Sequence, residues 1–410
     1  MNISKKLKDY VEFHENSLAQ IQEIRVENEF PAETSYFRNN ADVDYARILY
    51  SASCRRLQGK MQLFIPKSEV FYRNRLTHSH EVAQIAKILA KRLELKDILT
   101  VQACSLAHDI GNPPFGHAGE IALSSLGTKL PYEGNAQSFR ILHELEERHY
   151  KFFGLNLTLR TMLGIVKYHQ MRSFKDNEGE EKINDKFLYD EDYELVGSWL
   201  EKYNINHKTI DCEIMDLSDE IAYAVHDLED ALKLKYFTID ELIYEFSVCE
   251  KFLEATKILE KQVNKAKSFA KLAREYSSSE EYSMLFRKEL TSNLTSLLIT
   301  DIDLVEEKLN YKKYEKLVKG LKKLTFRAIK RQPDIILYEN QGNKILKGLF
   351  EVYNDDIYNK NLVLLPNNYR NLKLKERKIK DYIGGMMDLY AISQYEKYFG
   401  PINDKGIYGC

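Results

Sequence analysis

Ser105-Leu-Ala-His108-Asp109-Ile-Gly-Asn112-Pro-Pro-Phe-Gly-His117-Ala-Gly-Glu120 is the stretch on which the 410-residue chain turns. Just before it, Ile98 to Ala107 is apolar on nearly every face. A helix of that kind is buried, and it delivers His108 and Asp109 to its end. A polar pair placed there needs a partner that offsets its desolvation, and a divalent metal ion is one such partner. The Gly-Asn-Pro-Pro-Phe-Gly break then separates the pair from His117 and Glu120, so two histidines and two carboxylates fall within thirteen positions.

Upstream, residues 77–95 predict an amphipathic helix, with Val82, Ile85, Ala86, Leu89 and Leu93 on one stripe and Thr77 as its N-cap. His78 lies at its start. Residues 42–64 predict another helix, and residues 1–40 an arm with one short helix and a break at Phe30-Pro31. Downstream, a loop over 131–137 leads into a helix over about 136–150, and a short helix ends near Lys167-Tyr168-His169. Residues 172–190 read as a polar surface loop. A strong helix covers 211–235, and two or three more cover 239–300. Residues 343–353 fit helix or strand, and Asp381 to Phe399 predicts a last helix. Gly and Pro are sparse and no repeat appears, so the fold class is mainly α. The expected division is an N-terminal arm (1–40), a catalytic core (41–238) and a C-terminal helical region packing on it (239–410).

The chain is 44% apolar and 30% charged, typical of a soluble protein. No stretch approaches the apolar length that spans a bilayer, and the start, Met-Asn-Ile-Ser-Lys-Lys, lacks a signal-peptide hydrophobic region; no membrane association is expected. Cys54, Cys104, Cys212, Cys249 and Cys410 form no CxxC pair, which fits reduced thiols in a cytoplasm. The net charge of -2 gives no global argument for nucleic acid. A local lysine-rich run over 308–331 is the one feature that could bind a single strand, although such runs are usually solvated helix faces.

Four positions can form one metal site: His78, His108, Asp109 and Asp219. On the 211–235 helix, Asp219, Tyr223, His226, Asp227 and Asp230 share a polar face opposite an apolar stripe, the geometry of a site wall. Two neutral imidazoles and two carboxylates balance a divalent cation, and mixed nitrogen and oxygen ligands suit Mn, Fe, Co, Ni or Zn better than Ca. Taken singly, each element has a plainer meaning: a His at a helix start is more often structural, and an acidic helical face is often just solvated. Their joint occurrence is the signal.

Four segments carry a resemblance in this order: Arg75-Leu-Thr-His78-Ser-His-Glu81; His108-Asp109-Ile-Gly-Asn-Pro-Pro-Phe-Gly-His117-Ala-Gly-Glu120; Glu133-Gly-Asn135-Ala-Gln137; and Asp219-Glu-Ile-Ala-Tyr223-Ala-Val-His-Asp227. The chain resembles the HD-domain deoxynucleoside triphosphate triphosphohydrolases, the bacterial dGTPase-like enzymes. The resemblance runs with gaps from about residue 35 to 400 and includes Ser51 to Phe64 and Asp381 to Asp388. It implies an HD-domain helical bundle with additional C-terminal helices and at most minor strands. It implies metal ligands His78, His108, Asp109 and Asp219, with Mn or Mg, or a further transition metal such as Fe, Co, Ni or Zn, as the divalent ion. His117 becomes the catalytic histidine, a residue type that delivers or accepts protons near neutral pH, and Glu120 the carboxylate that orients it. Gln58, Tyr223 and Asp227 would contact the deoxyribose, and Arg75 and Lys167 the phosphates. A ring packed under the sugar leaves no room for a 2′-hydroxyl. The implied reaction converts a dNTP, dGTP-like, to deoxynucleoside and inorganic triphosphate. The family likeness also implies self-association as tetramer or hexamer, and raises a second nucleotide as an activator. The alternatives are an HD phosphohydrolase acting on another nucleotide, or a nucleotide-sensing or single-stranded nucleic-acid-binding protein.

Overall fold

The computed structural model describes residues 3–27, 37–62, 73–127, 130–147, 151–175, 179–273, 278–330 and 332–401. The Phe30-Pro31 break lies outside them. Helix α1 (Lys5–Ala19) buries Leu7, Val11 and Leu18 in the main core. The helix expected over 42–64 is three pieces: α2 (Asn40–Leu49), α3 (Ala52–Arg56) and a 3-10 turn at Leu57–Gly59, with 63 and 64 outside the described residues. Ser51 causes the break. Its hydroxyl accepts the Cys54 N–H at 3.0 Å, taking the donor that a continuous helix would give to the Tyr50 carbonyl. Helix α4 (Arg75–Arg92) starts earlier than expected. Asn74 is its N-cap, and Thr77 is instead the third residue of a capping box, with reciprocal bonds of 3.0 Å.

Helix α5 (Ile98–Ala107) is capped by Asp97, which accepts from Thr100 N at 3.0 Å, and packs against α2, α4 and two helices further on. That surround is why it tolerates no polar face. Next come α6 (Gly116–Ser125), α7 (Gly134–Arg140) with a π turn at Ile141–Leu145, and α8 (Leu159–Ile165). The helix expected to reach 150 stops at that turn; 148–150 lie outside the described residues. The loop expected over 172–190 contains an exposed antiparallel hairpin, β1 (Ser173–Lys175) with β2 (Glu181–Ile183), and 176–178 lie outside the described residues. Helix α9 (Asp190–Lys202) has no counterpart in the sequence reading. Three acids in its first turn favour its N-terminus electrostatically.

Helix α10 (Ile210–Lys233) crosses α4, α5 and α8. Then follow α11 (Ile239–Val248), α12 (Leu253–Ala270), α13 (Ser279–Asp301), the hairpin β3 (Ile302–Val305) and β4 (Lys308–Tyr311), and α14 (Glu315–Lys330). Helix α15 (Pro333–Asn354) resolves 343–353 as helix; α16 (Asn367–Arg370), α17 (Lys375–Gly384) and α18 (Asp388–Phe399) complete the order. The single helix expected from Asp381 to Phe399 is thus two. Gly384 ends the first of them, packed so closely that a Cβ there would lie 2.4 Å from the Tyr132 hydroxyl.

The fold is mainly α, with two small antiparallel sheets among the described residues. No helix of the described residues is long and apolar enough to cross a membrane. One hydrophobic core joins α1, α2, α4, α5, α8 and α10–α14. A second joins Phe115, Leu123, Tyr338, Leu346, Ile383 and Ile392, from α6, α15, α17, α18 and the loop before α6. The fully buried carboxylate of Asp381 ties α17 to α7. It accepts from Gln137 Nε2 at 2.9 Å and from Arg140 Nε and Nη2 at 3.1 Å each. Removing one partner of a buried pair costs about 3–5 kcal/mol. Asp381→Ala, which leaves Arg140 its ion pair with Glu144 but not this buried one, is expected to lose that much stability by urea unfolding.

Candidate active site

The capping box of α4 starts the helix at Arg75, and His78, in its first turn, is fully buried. His108 is the C-cap of α5. Its Nδ1 lies 2.6 Å from the Ser105 carbonyl, which fixes Nδ1 as the protonated nitrogen and leaves Nε2 as a lone pair. Asp219 projects from α10 between them. Its Oδ1 is 3.1 Å from His78 Nε2 and 3.3 Å from His108 Nε2. The donor atoms of His78, His108 and Asp219 all lie within 4.8 Å of one another. His108 Nε2 and His78 Nδ1 are buried with no hydrogen-bond partner among the described residues. Although His108 Nε2 is within ion-pair distance of Asp219, its alignment is not that of a hydrogen bond. A buried lone pair facing a carboxylate is an arrangement that a cation completes. Burial works against a charged His108, yet Asp109 and Asp219 outweigh it and hold its pKa up. At His78 burial wins and lowers the pKa. The cluster's imidazole and carboxylate donors fit a divalent transition metal.

Asp109 lies at the edge of this cluster, with Oδ1 3.6 Å from His108 Nε2. Both its oxygens are engaged: Oδ2 accepts from Arg75 Nη1 at 2.8 Å and Oδ1 from Asn112 Nδ2 at 2.5 Å. Burial would raise its pKa, but the Arg75 guanidinium and the two histidines keep the carboxyl below the usual range. Lys167, just after α8, donates to Asp219 Oδ2 at 2.8 Å and pairs with Asp216 at 3.3 Å. Burial is likewise overcome there, and those carboxylates hold the ammonium charged. Arg75 and Lys167, expected at the phosphates, thus also neutralise the site's carboxylates.

Arg75, His108, Asp109, Lys167 and Asp219 line a cavity of about 800 Å³, and His78, fully buried, is in contact with them rather than on its wall. Tyr223 stands on its wall with its ring centroid 4.8 Å from that of His78, and Asp227 lies one turn further along α10. The rest of the expected polar face turns elsewhere. His226 meets Glu81 at 3.0 Å, and Asp230 meets Arg73, which also binds Glu81 and Glu229. His117, in the first turn of α6, is 61% exposed at the cavity, with Nδ1 3.4 Å from Glu120 Oε2. Glu120 is itself held by the Gly134 N–H at 3.0 Å and by Lys186 at 3.1 Å.

Gln58 does not reach the cavity. The 3-10 turn buries Leu57, and Gln58 faces outward, exposed. Gln62 occupies the wall instead, buried, with both amide atoms unpartnered among the described residues. Lys186, which also binds Glu133 at 2.9 Å, comes from the segment read as a polar loop and carried no sequence signal. The lysine run splits. Lys312, Lys316 and Lys330 pair with Asp303, Glu254 and Glu339; Lys319, Lys322, Lys323 and Phe326 line the cavity, where Lys319 and Lys322 also pair with Glu315 and Glu220. Their i, i+3, i+4, i+7 spacing was the signal that this face belongs together. Arg331 lies outside the described residues.

Residues 75–224 match the HD domain, and residues 311–397 match the phosphohydrolase-associated domain. Over 87% of this chain and 88% of its own length, a deoxyguanosinetriphosphate triphosphohydrolase-like protein 2 of Vibrio cholerae is 51% identical. Deoxyguanosinetriphosphate triphosphohydrolase-like proteins of Shewanella sediminis and Shewanella oneidensis are 32% and 33% identical, each over 87% of this chain and 91% and 92% of their own. The chain belongs to this family of HD-domain proteins. The HD match contains His78, His108, Asp109, His117, Glu120 and Asp219, and supports a phosphohydrolase. HD domains generally bind divalent metals, and the His78, His108 and Asp219 cluster is where this chain can hold one.

Glu120 gives a pH test of the geometry. Burial would raise its pKa, but His117, Lys186 and the Gly134 N–H lower it to about 2. A carboxyl depressed on folding adds stability above its unfolded pKa, about 4.3, and that stability is lost as pH falls toward 2. The melting-temperature gap between wild type and Glu120→Gln is therefore expected to be widest above pH 5 and to close as pH falls from 4.5 toward 2.

Proposed function

We propose that this protein hydrolyses deoxynucleoside triphosphates at the α-phosphorus, releasing deoxynucleoside and intact inorganic triphosphate. The observation that carries the proposal is that one cavity is lined both by His108 and Asp219 of the His78–His108–Asp219 cation cluster and by a separate His117–Glu120 pair. Asp109 completes the metal's surroundings, directly or through its hold on Arg75. A bound divalent ion supplies Lewis-acid polarisation of the phosphoryl group and a more acidic water.

The chain's own residues do the rest. His117, oriented by Glu120, donates a proton to the 5′-oxygen as its bond to phosphorus breaks; water supplies the new oxygen on the triphosphate. Arg75, Lys167 and Lys186 set a positive field against the polyphosphate charge. Tyr223 packs under the deoxyribose, and a 2′-hydroxyl there would be buried without a partner. Asp227 lies along the same wall. Gln62, in place of Gln58, offers the sugar or base one donor and one acceptor.

The relatives' names point to dGTP, and a panel of the four dNTPs with Mn or Mg, alone and mixed, scored for triphosphate, tests it. Release of monophosphate or pyrophosphate instead would overturn the proposal. His117→Ala is expected to cut triphosphate release by roughly 10²–10⁴-fold while metal content measured by mass spectrometry stays near wild type. Asp109→Ala is expected to lose both metal and turnover; full turnover in that variant would remove Asp109 from the site.

A further inference from the structure

Asp388 opens α18, remote in sequence from the cavity, and is 2% exposed. Its Oδ1 accepts the Phe115 N–H at 3.0 Å; its Oδ2 accepts the Met61 N–H at 3.0 Å and the Tyr338 hydroxyl at 2.9 Å. Both backbone groups belong to segments that reach the cavity. Met61 precedes Gln62, and Phe115 is the N-cap of α6, two residues before His117. Phe115 and Gly116 are both left-handed, with φ of 63° and 59°. A non-glycine residue adopts that conformation only against steric strain, and α6 has no side-chain cap of its own at Phe115 to offset it. Its restraint comes from the second core. A Cβ on Gly342 of α15 would lie 2.5 Å from Phe115 Cγ, so the ring is pressed on one side while Asp388 holds the backbone on the other. The buried Lys60 ammonium spans the same junction, donating to the carbonyls of Asn112 and Gly384.

We propose that Asp388 is a positioning residue for this active site. By holding the N–H groups of Phe115 and Met61, it sets the entry of α6, and with it the placement of His117 and Glu120. The catalytic consequence rests on the phosphohydrolase proposal; the structural one does not.

Asp388→Asn keeps the shape but turns an NH₂ donor toward one of the bound N–H groups. Expected are a kcat for triphosphate release lower by at least roughly tenfold, KM and bound Mn near wild type, and faster amide exchange in the peptide spanning 113–120. Gly342→Ala presses on Phe115 without touching Asp388 and is expected to give the same pattern; it decides the matter where Asp388→Asn does not fold. Wild-type kcat and amide protection in either variant overturns the proposal. So does a loss of kcat, KM and Mn content in step with melting temperature, the signature of general unfolding. Should the wild type release triphosphate from no dNTP, the proposed function fails separately. The amide-exchange arm, with Mn-supported hydrolysis of bis(p-nitrophenyl) phosphate as the rate, then still tests the positioning role.

Discussion

Asp219 is a carboxylate at the meeting point of three helices, and it must be balanced without bulk water. Lys167 balances one oxygen, and the two imidazoles of His78 and His108 face the other. A buried charge that loses its partners is worth several kcal/mol of instability, so every element that brings a partner is constrained. This accounts for the capping box that starts α4 just before His78, the all-apolar α5 that ends on His108, and the burial of Lys167 behind α8. The cluster is also half of the proposed chemistry, because groups packed to balance a charge are groups placed to hold a cation.

The proton-transfer half is built differently. His117 is largely exposed and stands on a helix entered through two left-handed residues. It draws its order from a second hydrophobic core made by α15, α17 and α18. Asp381 and Asp388, both buried, clamp that core onto α7 and onto the loop before α6. The matched HD domain and the matched phosphohydrolase-associated domain are therefore mechanically joined at the active-site loop.

Local sequence was a sound guide wherever a residue's placement follows from its own helix. The apolar run of α5 predicted burial and placed His108 at a helix end. The polar face of α10 predicted a wall, and Asp219, Tyr223 and Asp227 line the cavity. Where a role depends on what stands opposite, spacing was a poor guide. His226 and Asp230 share that face yet serve the ion-pair network around Arg73. Gln58 and Gln62 are both near the right place, but a 3-10 turn decides which one points inward. Lys186 becomes a site residue only because the chain after β2 passes beside Glu120.

The sequence by itself determined the helical class, the buried helix and its polar end, and the family, because periodicity and an unusual motif are properties of contiguous residues. Tertiary structure alone decided that Asp109 is held by Arg75 and Asn112 at the cluster's edge. It alone showed that part of the lysine run faces the cavity, and that Asp388 holds the turn into His117. Apart from the Asn112 contact, three positions from Asp109, those facts concern residues tens to hundreds of positions apart, and nothing in a one-dimensional pattern encodes which of many carboxylates a buried N–H will find.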